Sequence, residues 1–211
     1  MNTKVNLCGI EIDNPVIPAS GTFGFGKEFA ELYDINCLGT FSFKGTTLDP
    51  RFGNPTPRIA EFTGGMLNAV GLQNPGVDHV IAHELPEMKE FFHKPVMANV
   101  SGFSIEQYVK TCEKLDKCEQ VGWLEVNISC PNVHGGGMSF GTDPGCAKEV
   151  TQAVKAVTTK PVIVKEVDYS DSLTEKQWLK VHAGEGRERG SGSTGLAAGL
   201  GAFIQTLGSA L

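Results

Sequence analysis

Five short apolar runs, each closing on polar or glycine residues, constrain this chain more than any other feature. They are residues 15–20, 38–43 (followed by Lys44), 95–100, 123–128 and 161–164 (followed by Lys165). Stretches of helical length lie between them. Residues 77–92 space Val77, Val80, Ile81, Leu85 and Met88 along one stripe. Residues 104–118 open on Ser104 and Gln107, the spacing of a capping box, and residues 146–157 align Val150, Ala153, Val154 and Val157. Strands alternating with helices predict parallel βαβ units. Polar groups gather where the runs finish: Ser20 and Gly21, Lys44 to Thr46, Asn99, Asn127 with Cys130, and Lys165. In a barrel of parallel strands those ends share one face, which carries the site. An open sheet would place ligands in a crevice where strand order reverses, and contributions from five strands fit the barrel better.

The fourth run carries the densest chemistry. Asn127, Ser129 and Cys130 follow one another off a strand that stops at Pro131, and Gly135, Gly136 and Gly137 then allow a loop that folds back. This describes a site with a lid; taken alone, it equally describes a surface loop with an incidental cysteine. A chain of 211 residues suffices for one well-buried domain. Its formal charge of -6 disfavours nucleic acid and anionic membranes as partners. The six cysteines show no CxxC pair, and the N-terminus lacks the apolar core of a signal peptide, so a cytoplasmic setting with reduced thiols is expected. His79 and His83 are four apart on a predicted helix, but no third ligand is evident and no metal is expected.

Residues 46–75 form a long insertion between runs, with Arg51 and Arg58 in a proline-rich stretch. Insertions of this length at a barrel mouth tend to be functional. Taken in order, Asn14-Pro15, Ala19 to Gly24, Lys44 to Thr47, Pro50 to Pro55, Asn68 to Asn74 and Asn127 to Asn132 resemble dihydroorotate dehydrogenase. The likeness is to class 1, and within it to the bacterial NAD-linked type whose second subunit carries FAD and an iron–sulfur cluster.

That resemblance implies an α/β fold of the TIM-barrel family with FMN across its top, oxidising dihydroorotate to orotate in pyrimidine synthesis. It implies that Cys130 is the base, taking a proton from C5 of the substrate while hydride leaves C6. A free thiol pKa of about 8.5 suits that task when nearby donors stabilise the thiolate. Ser20, Gly21, Lys44, Thr46, Asn99, Asn127 and Lys165 match flavin-binding positions. Lys44, Asn68, Ala69, Val70, Gly71, Leu72, Asn127 and Asn132 match positions that hold the substrate. For a complete barrel it further implies a homodimer within a heterotetramer; the FAD and iron–sulfur cluster fall to the partner subunit, since no cysteine spacing here suits a cluster.

After Lys165 the resemblance breaks off, giving two expected regions: 1–165, a partial FMN-binding barrel, and 166–211, a divergent tail. The tail holds a short helix signal at Ser172 and Glu175, then an uncharged, glycine-rich stretch from Ser191. The expectation is therefore an incomplete barrel of about five parallel strands, from a truncated or frameshifted gene product, lacking the phosphate grip found after later strands. Gly195 and Gly199 have the GxxxG spacing of membrane helices, but the segment is too weakly apolar for that reading. Two alternatives stay open. One is an inactive half-barrel without tightly bound flavin; the other is a related pyrimidine-reducing flavin barrel.

Overall fold

The computed structural model describes residues 2–129 and 138–165. Cys130, Asn132, His134, the 135–137 glycines and the whole tail lie outside the described residues. Two antiparallel hairpins come first. The strands β1 (Val5–Leu7) and β2 (Ile10–Ile12) form one, and β3 (Ile59–Phe62) and β4 (Gly65–Asn68) form the other. A short helix α1 (Lys27–Ala30) lies between them. Next come α2 (Val77–His79) and α3 (Leu85–Phe91), joined by one wide π turn, Val80–Glu84. The last part alternates: β5 (Val96–Val100), α4 (Ile105–Asp116), β6 (Val121–Asn127), α5 (Met138–Gly141), α6 (Pro144–Val157) and β7 (Val162–Lys165). β5, β6 and β7 pair in parallel, in chain order, as the βαβ pattern requires.

The first two apolar runs do not become regular strands, and the chemistry of the chain says why. Pro15 and Pro18 have no N–H, so residues 15–20 mainly accept: Val16 O bonds Gly39 N at 3.1 Å and Pro18 O bonds Ser42 N at 3.0 Å. The second run meets β5 at two parallel bridges, Ser42 to Met97 and Thr46 to Val100. Four steps on one side face three on the other, so one extra residue bulges out around Lys44 and Gly45. The wide turn in the first long helix has a similar local cause. Pro86 offers no donor and its ring crowds the carbonyl four residues back. The wider turn also brings Val80 and Leu85, five apart in sequence, into one buried cluster.

Both faces of the parallel sheet are covered, which explains its nearly continuous apolar strands. Ala98, Val100, Leu124, Val126, Val162 and Val164 pack with Leu85, Met88, Tyr108, Leu115, Val150 and Val154 of the helices. On the opposite, inward face Met97 and Trp123 pack with Ile12, Ile10, Leu7 and Ile163. Trp123 is fully buried and its Nε1 donates to Leu7 O at 2.9 Å, which fastens the first hairpin to the sheet. Further along the same face the apolar residues give way to Asn99, Glu125, Asn127 and Lys165. That change gathers polar groups at the carboxyl ends of the strands.

Asp116, at the end of α4, ties that helix to the turn before β7. Its Oδ1 accepts from Thr158 Oγ1, from Thr159 N at 2.9 Å and from Lys160 N at 3.1 Å. Burial pushes its pKa up, but those hydrogen bonds together hold it below the ordinary carboxylate value. A depressed carboxylate adds stability above the unfolded pKa, lost as pH falls through the lower folded value. Asp116→Ala should thus cost about 1–3 kcal/mol at pH 7 and progressively less at pH values below about 4. Urea unfolding at both pH values checks this; an equal cost at each would show that ionisation of Asp116 contributes nothing.

Candidate active site

A chain of hydrogen bonds crosses the inward face where the strands end. Glu125, half-buried on β6, accepts at Oε2 from Ser42 Oγ at 2.6 Å and from Asn99 Nδ2. Asn99, fully buried on β5, accepts at Oδ1 from Asn127 Nδ2 at 3.3 Å. Asn127 in turn accepts at Oδ1 from Ser129 N at 3.1 Å and Ser129 Oγ at 2.8 Å. Its backbone carbonyl takes the buried Tyr108 hydroxyl at 2.7 Å, which anchors the strand end to α4. Ser129 is the residue immediately before Cys130.

The first and last runs meet across this face. Lys165 Nζ lies 3.4 Å from Ser20 Oγ, joining residues 145 apart in sequence. Gly21 follows Ser20 with φ 91°, a conformation that suits glycine. Lys44 is half-buried, its backbone N donating to Gly24 O at 2.9 Å. Thr46 is fully buried and bridges to β5: its N donates to Asn99 O, and its O accepts from Ser101 N, each at 2.9 Å. Gly45 sits over the polar chain. A Cβ there would stand 2.9 Å from Asn99 Oδ1, 3.1 Å from Leu72 Cδ1 and 3.4 Å from Ser101 Oγ. Ser101 Oγ is buried and makes no hydrogen bond within the described residues, so this end of the sheet holds a donor with capacity to spare.

The insertion reaches the same place through residues 69–74. Leu72 packs over Gly45, and Asn74 Oδ1 accepts from Thr47 N at 3.1 Å. Asn68 closes β4, its Oδ1 3.5 Å from Val70 N, and Ala69 N donates to Arg58 O. Val70 O accepts from Asn54 N at 2.9 Å. Gly71, at φ 76°, is required by Asn54, whose side chain would lie 2.6 Å from any Cβ placed there. Arg51 stacks over the Phe103 ring at 4.3 Å and with Lys44, Phe52, Gln73 and Glu84 lines a cleft of about 400 Å³ beside these loops.

None of the described thiols stands at the carboxyl ends of the parallel strands. Cys112 is buried within α4, and burial pushes it up to about 12, beyond use as a base near neutrality. Burial likewise raises Cys118, and hydrogen bonding with Asp143 raises Cys146. The His79 and His83 rings lie 4.5 Å apart, tilted by 40°, with Glu84 Oε1 at 3.5 Å from His79 Nε2. Among the described residues no cluster of three or more potential metal ligands occurs, and no helix is long and apolar enough to cross a membrane.

Three residues of this site were not picked out by their sequence: Glu125, Ser42 and Ser101. For Glu125 the signal was present. It alternates with Trp123 and Asn127 and so faces inward, where a lone carboxylate needs donors.

A polar face at the carboxyl ends of parallel strands is where α/β folds bind their ligands. The sequence model of the family described as dihydroorotate dehydrogenase matches residues 2–186. Similar proteins include the "dihydroorotate dehydrogenase B (NAD(+)), catalytic subunit" of Bacillus pumilus, 55% identical over 162 residues, covering 77% of this chain and 52% of that protein. The protein of that name from Malacoplasma penetrans is 54% identical over 162 residues, covering 77% and 53%. The one from Listeria innocua is 47% identical over 183 residues, covering 86% and 60%. The chain belongs to the dihydroorotate dehydrogenase family. It spans about half the length of the curated relatives it matches.

Proposed function

We propose that this chain carries the flavin- and substrate-facing part of a dihydroorotate dehydrogenase that oxidises dihydroorotate to orotate. The observation that supports it best is the convergence of Ser20, Lys165, Asn99, Asn127 and Ser129 at one strand end, next in sequence to Cys130. The residues fit FMN as cofactor. Its isoalloxazine edge alternates donors and acceptors, and the chain offers two amides, a lysine, and the spare Ser101 hydroxyl beneath the opening that Gly45 leaves. FMN supplies the two-electron acceptor when bound. Lys165 contributes positive charge beside Ser20, the sign that favours electron-rich states of a nearby ring. Cys130 accepts the substrate proton, and Asn68, Asn132 and the 69–72 backbone hold the substrate. TIM-barrel architecture is part of this reading, supported by the family and by the sequential parallel order of β5, β6 and β7.

The relatives' name, a catalytic subunit of an NAD-linked enzyme, supports a separate electron-transfer subunit, which would carry the FAD and iron–sulfur cluster. A homodimer of catalytic subunits within that complex and a cytoplasmic setting complete the proposal. The five described cysteines are unpaired, as in a reducing compartment. The whole chain, purified, should be yellow with a flavin absorption band, and dihydroorotate added without oxygen should bleach it. A colourless chain that takes up no FMN on titration favours the competing reading, a fragment without tightly bound flavin.

A further inference from the structure

Glu125 sits at one end of the polar chain, and its chemistry fixes the direction of every bond in it. A carboxylate only accepts, whereas an asparagine amide has a donor end and an acceptor end that a half-turn exchanges. Because Glu125 Oε2 takes Asn99 Nδ2, Asn99 must turn Oδ1 toward Asn127, and Asn127 must meet it with Nδ2. Asn127 Oδ1 is thereby turned to Ser129, where it receives both the N–H and the hydroxyl. Two donors use the two lone pairs of that oxygen. Among the described residues, what Asn127 has left for a ligand is one N–H.

We propose that Glu125 is a positioning residue that sets the polarity of the Asn99–Asn127 pair, making Asn127 a donor-only group toward the bound ring. A donor-only Asn127 selects ligand atoms that accept, such as a ring carbonyl or an unprotonated ring nitrogen, and rejects an N–H at that place. The same polarity holds the Ser129 peptide N–H, one residue before Cys130 in sequence. This rests on the reading that a flavin binds at this strand end, but the polarity itself is a property of the chain alone. Ser42 is the second donor to Glu125 and holds the carboxylate in place without touching either asparagine side chain through any hydrogen bond described.

Two experiments on the whole chain test this. Glu125→Gln keeps the shape but offers both a donor and an acceptor, so either amide polarity becomes possible. FMN affinity, read by quenching of flavin fluorescence, should fall about 10-fold, the effect of one misdirected hydrogen bond. Glu106→Gln, on the exposed face of α4, should leave it unchanged. The second experiment needs no flavin. Asn127→Asp puts an acceptor opposite Asn99 Oδ1 while Glu125 still demands the Asn99 donor, so the melting temperature should drop. Adding Glu125→Gln lets Asn99 turn over and donate to Asp, so the double variant E125Q/N127D should melt about 4 °C or more above N127D alone. Lost volume or general loosening predicts no such rescue. A double variant no more stable than N127D, or equal FMN affinity in wild type and Glu125→Gln, overturns the proposal. Failure of the wild-type chain to bind FMN counts against the functional reading instead, and the rescue cycle alone then decides the role of Glu125.

Discussion

Replacing Cys130 with alanine should slow reduction of the bound flavin by dihydroorotate about 10²–10⁴-fold while leaving the flavin in place, the range expected when a general base is removed. The expectation comes from position. In sequence Cys130 follows Ser129, whose N–H and hydroxyl are both held by Asn127 at the end of β6. Three of the other thiols are less suited: burial holds Cys112 near 12, and Cys118 and Cys146 are also raised. Cys130→Ser should retain part of the rate with an optimum at higher pH, because a hydroxyl gives up its proton far less readily than a thiol. Anaerobic mixing with dihydroorotate, followed at the flavin absorption band across a pH series, reads both effects. Near-normal reduction in the alanine variant would remove Cys130 from the role of base. Flavin lost from that variant would instead mark the thiol as part of the binding surface.

The parallel sheet was legible in the sequence because its strands are buried on both faces. The 95–100, 123–128 and 161–164 runs became β5, β6 and β7 with boundaries moved by one or two residues. α4 begins after Ser104, which caps it through Gln107 N as the spacing implied. The Gln107 side chain returns to Phe103 N, one residue before the cap. The hairpins were hidden for a different reason. β1 and β2 are joined at Cys8 and Gly9, both with positive φ, a turn that usually announces itself as Asn-Gly. β3 and β4 join at Thr63 and Gly64, and every residue of β3 is exposed, so no apolar alternation marks it. At the site, the terminal polar residues could be read from where the runs stop. The links between them could not, because Ser42 to Glu125 and Ser20 to Lys165 span 83 and 145 residues.

Trp123→Ala should cost about 3–5 kcal/mol of folding stability, a large part of the margin of an ordinary domain. Trp123 is fully buried on the inward face, where it packs with Ile12 and Met97, and few side chains leave a larger cavity. It also makes the Nε1 bond to Leu7 O that fastens the β1–β2 hairpin, so the loss has two separable parts. Trp123→Phe keeps most of the apolar volume and removes the bond. It should cost roughly 1–2 kcal/mol and expose the hairpin amides to hydrogen exchange before the β5–β6 amides. The polar chain lies on the same face just beyond Trp123, with Glu125 and Asn127 two and four residues further along β6. A cavity under Glu125 would therefore loosen the Asn99–Asn127 pair as well, and flavin affinity should fall in the alanine variant but hold in the phenylalanine one. Urea unfolding of both variants, with exchange read by mass spectrometry, measures these effects. A cost below about 1 kcal/mol for Trp123→Ala would mean that the inward face is not packed around this residue.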